Sequence, residues 1–213
     1  MDTPESLHQQ LTDNGYELVA KFTFREMLEP VREGFKTKNK FTTGFRISIF
    51  ILLMITTALG AWYMVSKQLS FTAWLGYTAL GVPLTLLLIP FHEWIHGIAF
   101  KAYGAKDVRY GVIWRYLMFY AVSHMQLLGA RQYYRIGLAP FVVITFVAFA
   151  VLPFCDPVRQ AIVMGILCFH SLCCIGDFGL CAYFAKYIDR HPLTFDDAVT
   201  GTSYIYLKRS VEY

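Results

Sequence analysis

Four apolar stretches, each long enough to cross a bilayer as a helix of about 20 residues, constrain this 213-residue chain more than any other feature. They run from about Phe45 to Ser66, Phe71 to Phe100, Tyr133 to Phe154 and Val158 to Tyr183. The fold expected is an all-α polytopic membrane protein with about four transmembrane helices. Charged residues make up 16% of the chain, against about 25% in soluble domains, and hydrophobic residues 56%. The second stretch is the longest and carries Pro83 and Pro90; Pro90 should kink the helix or open a new one. The division expected is a cytoplasmic segment over 1–44, a four-helix membrane domain over 45–185 and a cytoplasmic tail over 186–213. The first forty residues are polar and mixed in charge, so no cleavable signal peptide is expected.

Charge asymmetry orients such a bundle. Arg32, Lys36, Lys38 and Lys40 precede the first span, and Lys101, Lys106, Arg109, Arg115 and Arg131 lie between the second and third. Lys186, Arg190, Lys208 and Arg209 follow the fourth, whereas the two opposite loops hold little beyond Lys67 and Arg159. By the positive-inside rule both termini and the central loop are cytoplasmic. The net charge of +4 therefore reflects cytoplasmic loops and requires no nucleic acid. Cys168, Cys173, Cys174 and Cys181 fall inside the fourth span and Cys155 near its outer end, which reads as packing rather than a disulfide framework.

Chemistry enters at His92-Glu93-Trp94-Ile95-His96-Gly97, an HExxH motif inside the second apolar stretch. Histidines four residues apart project from one helix face and can hold one metal ion, usually zinc. The adjacent Glu93 can then act as general base toward a water at that metal. Shuffling this composition would produce the motif in roughly 0.5% of cases. A buried histidine pair hydrogen-bonded to its surroundings is the plain alternative. Membrane di-iron enzymes need many more histidines, and a di-iron carboxylate bundle needs two Glu-x-x-His motifs where only Glu93–His96 fits.

A catalytic zinc site normally has a third protein ligand. The only carboxylates inside the predicted spans are Glu93 and Asp177, and an unpaired carboxylate there is costly. His92 lies 21 residues beyond Phe71 and Asp177 19 beyond Val158, so at about 1.5 Å per residue both reach similar depth on the cytoplasmic side. His170, two turns before Asp177, cannot hold the same ion in an unbroken helix and should sit deeper on the cavity wall. His170, His124, Cys174 and Cys181 remain alternatives as third ligand, with His124 better suited to an interfacial or supporting place.

Between the second and third spans, residues 106–123 alternate as a strand, with Val108, Tyr110, Val112, Trp114, Tyr116 and Met118 on one face. This small cytoplasmic β-hairpin could receive a substrate as an added strand or simply anchor at the headgroups through its aromatics. Phe22-Thr23-Phe24 and Tyr204-Ile205-Tyr206-Leu207 read as short strands without evident chemistry.

Three pieces over roughly residues 80 to 185 carry a family likeness: His92-Glu93-Trp94-Ile95-His96-Gly97, Ala139-Pro140-Phe141, and His170 followed by Gly176-Asp177. In these the chain resembles the putative zincin peptidases, small bacterial membrane proteins, and more distantly the site-2 protease class. Site-2 proteases usually carry Leu-Asp-Gly after a longer Asn/Pro motif; here the aspartate stands in Gly176-Asp177-Phe178. The resemblance implies one zinc per chain held by His92, His96 and Asp177, with Glu93 catalytic. It also implies a multi-pass zinc metalloendopeptidase of the bacterial inner membrane acting on membrane-protein or peptide substrates. A non-catalytic membrane zinc-binding or scaffold protein is the competing class; four spans without a repeat give a transporter little support. Nothing in the sequence specifies an oligomeric state.

Overall fold

The structure is a computed structural model and describes residues 4–116 and 118–209. Residue 117, within the predicted 106–123 strand region, and the outermost ends of both terminal segments lie outside the described residues. The chain is mostly helical, with two small antiparallel sheets. Three long apolar helical segments cover 40–65, 71–102 and 130–154, and a bent pair covers 157–185. All four expected stretches are therefore helical, and three or four are long and apolar enough to cross a membrane.

Two of the four are broken. The second stretch is split into α4 (Phe71–Ala79) and α5 (Gly81–Ala102). The break is not at Pro90, which lies inside α5, but at Leu80–Gly81, so that Pro83 falls in the first turn where its missing N–H matters least. The fourth is split into α7 (Pro157–Cys173) and α8 (Ile175–Ala185), which meet at 40° about Cys174. Gly165 of α7 lies directly on the Thr78 carbonyl of α4 and on Gly81, where a Cβ would collide with backbone. That close crossing holds the first break against α7.

The remaining long helices, α3 (Lys40–Val65) and α6 (Ala130–Val151), complete the bundle. Asn39 caps α3 by accepting from the Phe41 and Thr42 amides, and its own amide reaches the Ala182 carbonyl of α8 at 3.1 Å. The short helix α2 (Leu28–Lys36) packs against α8.

The terminal segments build more than isolated strands. Strands β1 (Tyr16–Thr23), β4 (Leu128–Gly129), β5 (Leu193–Asp197) and β6 (Thr202–Lys208) form one sheet in the order β1-β6-β5-β4. On its outer face Phe195, Tyr204 and Tyr206 pack on Leu7 and Leu11 of α1 (Pro4–Asp13). On its inner face Phe22, Thr194, Asp196, Ser203 and Ile205 border a cavity shared with α5, α6 and α8. The order is thus α1, sheet, cavity, bundle. Strands β2 (Val108–Ile113) and β3 (Met118–Ser123) form the separate hairpin. Its turn at 114–116 ends the single continuous face that alternation suggested, placing Trp114 and Tyr116 in the turn and Met118 on the returning strand.

Candidate metal centre

Helix α5 presents His92 and His96 one turn apart on a buried face, with Glu93 buried beside them. The break at Cys174 turns the start of α8 toward α5 and delivers Asp177 to the same point. The His92 and His96 Nε2 atoms stand 3.2 Å apart. The Asp177 carboxylate straddles them, Oδ2 at 3.4 Å from His92 Nε2 and Oδ1 at 3.4 Å from His96 Nε2. Ligand atoms about 2.0–2.2 Å from a tetrahedral zinc are themselves about 3.3–3.6 Å apart, so these atoms outline one face of such a sphere.

The outer nitrogens are also committed. His96 Nδ1 lies 3.0 Å from the Ile136 carbonyl of α6, which can only accept. The proton is therefore on Nδ1, and in the neutral ring Nε2 keeps its lone pair for the centre. His92 Nδ1 lies 3.0 Å from His170 Nε2. Two imidazole Nε2 atoms, that of His96 with its lone pair free, and a carboxylate converge on one point, an arrangement that takes a cation or protons between them. The donor set of two nitrogens and one oxygen, with both rings oriented from behind, fits zinc.

His170 is thus not on the cavity wall, as the unbroken-helix argument suggested, but behind His92, with 1% of its surface exposed. Its Nε2 is 3.8 Å from Cys174 Sγ, and His92, His170 and Cys174 form a second set of donors close enough for an ion. Tetrahedral spacing is met better at His92–His96–Asp177. His124 lies elsewhere: its Nδ1 accepts from the Ala198 amide and stands 3.6 Å from Asp197 Oδ1. Cys181 is buried and belongs to neither set among the described residues.

The centre opens into the cavity of about 190 Å³ between bundle and sheet. Glu93 faces the backbone amide of Ala121 in β3. Strand β3 pairs with β2 along one edge, and its residues 118–122 border the cavity. Gly97, following the motif, lies directly under the Tyr110 hydroxyl of β2, so a Cβ there would require the Tyr110 side chain to shift. Tyr133 of α6, stacked on Phe184 with ring centroids 4.3 Å apart, lines the same cavity as Asp177 and Asp196.

Three contributors were missed in the sequence: His170 as the partner of His92, the Ile136 carbonyl, and the inner face of the terminal sheet. None carries a local signal, because each depends on which segment packs opposite. Tyr204-Ile205-Tyr206-Leu207 did read as a strand, and it lies within β6, but nothing local told what the strand faces.

No curated protein and no solved structure matches the chain. A family model described as "Putative zincin peptidase" matches residues 85–191, half of the chain, and spans the HExxH helix, the hairpin, α6, α7 and α8. By that match the chain belongs to the putative zincin peptidase family.

Proposed function

We propose that this chain is a zinc metallopeptidase acting inside or at the surface of a membrane. The observation that carries the reading is the convergence of His92, His96 and Asp177 at tetrahedral spacing, with Glu93 beside them in a cavity set among apolar helices. Family membership implies a zinc metallopeptidase; the intramembrane setting and the residue roles are our reading.

His92, His96 and Asp177 would hold the metal through two Nε2 atoms and a carboxylate oxygen. When bound, zinc supplies Lewis acidity that polarises a carbonyl and acidifies a water. Glu93 takes the proton from the attacking water and returns it to the leaving amine. His170 and the Ile136 carbonyl hold the two imidazoles in the tautomer that keeps Nε2 free. The edge of β3 lies beside Glu93, suited to pairing with an extended peptide whose scissile bond is then presented to the centre.

The positive-inside distribution puts both termini on the cytoplasmic side of the inner membrane. The sheet built from those termini walls the cavity, so water and substrate reach the centre from the cytoplasm. Substrates would be membrane-embedded or membrane-proximal segments that unwind locally.

The test is zinc content and peptide hydrolysis of the detergent-solubilised protein. Wild type should hold about one zinc per chain, lost in His96→Ala and Asp177→Ala. Glu93→Gln should keep the metal while hydrolysis falls by about 10²–10⁴-fold. Metal retention with no hydrolysis in wild type, and a cellular phenotype unaffected by Glu93→Gln, would instead identify a zinc-binding scaffold.

A further inference from the structure

The cavity has a second acidic pole, on the sheet. Asp196 of β5 lies on the inner face, where its cross-strand neighbour is Ser203 of β6. The Ser203 hydroxyl donates to Asp196 Oδ1 at 2.5 Å. No other side chain bonds this carboxylate and no cation pairs with it among the described residues. The next residue differs: Asp197 faces outward, accepts from Thr200 and Val199 and lies near His124. Around Asp196 the inner face is apolar, with Ile205 and Phe22 packed on Tyr133 and Phe184. Burial pushes the Asp196 carboxyl up to about 6, against the pull of the Ser203 hydroxyl. At neutral pH it is therefore a largely ionised carboxylate without a counterion.

A charge count over the cavity extends the point. The lining contains Glu93, Asp177 and Asp196 and, among the described residues, no Lys or Arg. Asp177 and Glu93 stand at the candidate metal centre, where a divalent ion would offset them. Asp196 stands apart on the sheet with no such partner among the described residues, in a partly desolvated space where a carboxylate draws a cation.

We propose that Asp196 is a specificity determinant, the heart of a subsite that takes a single lysine or arginine side chain flanking the scissile bond. This rests on the peptidase reading above. The sheet side of the cavity adjoins the cytoplasmic end of the bundle, and cytoplasmic juxtamembrane segments are where membrane proteins concentrate Lys and Arg. A substrate unwinding at that end would bring such a residue to β5 while its backbone lies along β3. His124, the residue after β3, makes a parallel bridge to Asp196, so the end of β3 lies next to Asp196.

The experiment uses the full-length, zinc-loaded protein in detergent, with Glu93→Gln as background so that peptides bind without turnover. The probes are a short neutral peptide and versions of it with one lysine placed at each position in turn, read by fluorescence anisotropy. At least one lysine position should tighten binding about tenfold over the neutral peptide. Asp196→Asn, isosteric and still able to accept from Ser203, should remove that gain. Asp196→Lys should transfer the preference to a glutamate at the same position. Absence of any lysine preference, or one that survives Asp196→Asn, overturns the subsite. The peptidase reading is judged separately, by cleavage of the same peptides by zinc-loaded wild type. A lysine preference without cleavage would keep the subsite and remove the peptidase, and cleavage without the preference would do the reverse.

Discussion

An imidazole can serve a metal through only one nitrogen at a time, and what occupies the other decides how firmly the first is aimed. In this protein the two histidines of one motif are aimed by different means, His96 by a backbone carbonyl and His92 by a second histidine. His170→Gln, which offers an oxygen acceptor to His92 Nδ1, should lower zinc affinity less than threefold, whereas His170→Leu, similar in bulk but without an acceptor, should lower it about 10–100-fold. Chelator competition on the purified variants measures both. Equal affinities would mean that His170 only fills space. Asp196 offers a pH test at the same scale. Its folded-state carboxyl titrates at about 6, above the ordinary value of about 3.9, so folding favours the protonated form. Its contribution is intact below about pH 4 and lost as pH rises through about 6. Asp196→Asn should therefore match wild type at about pH 4 and unfold about 2–4 °C higher above pH 6, followed by thermal unfolding in detergent.

At the scale of elements, the bend at Cys174 in an otherwise continuous apolar stretch brings the candidate ligands together. Without the bend at Cys174, α7 and α8 would form one rod carrying His170 and Asp177 two turns apart, about 10 Å along the axis. With it, His170 backs His92 on one side and Asp177 faces it on the other. The other break depends on the Gly165 crossing. Gly165→Val, whose Cβ meets the Thr78 carbonyl, should destabilise by about 1–3 kcal/mol and reduce retained zinc by displacing α7 from α4 and α5. Gly44→Ala is the matched control: nothing surrounds its Cβ, and a helical Gly-to-Ala change should be neutral or stabilise by up to about 1 kcal/mol. Thermal unfolding and zinc content read both. The hairpin belongs to this scale as well. Alternation over 106–123 correctly announced extended chain, but the reversal at 114–116 puts only β3 beside Glu93.

The whole molecule combines an apolar bundle with a sheet made from the two ends of the chain. That sheet is closed on its outer face by α1 and faces the cavity with its inner one. Strand β6 lies between β1 and β5, so β1, from the other end of the chain, has no partner strand without it. In the proposed membrane setting both ends would lie on one side, in keeping with the charge distribution. A fluorescent protein fused to either end should fluoresce in cells, and alkaline phosphatase inserted at Gln68, in the α3–α4 loop, should be active. Phosphatase activity at either end instead would contradict the orientation.

The sequence by itself determined the helical stretches, the HExxH pair with its glutamate, and the depth at which an aspartate had to wait. These follow from hydrophobic runs and from spacing along a single helix, both of which are local. Only the tertiary structure decided that His170 stands behind His92, that two strands from opposite ends of the chain wall the cavity, and that Asp196 looks into it without a cationic partner among the described residues. Those outcomes depend on which segments pack face to face. Such contacts join residues as far apart as 92 and 170, or 22 and 203, and no periodicity along the chain encodes them.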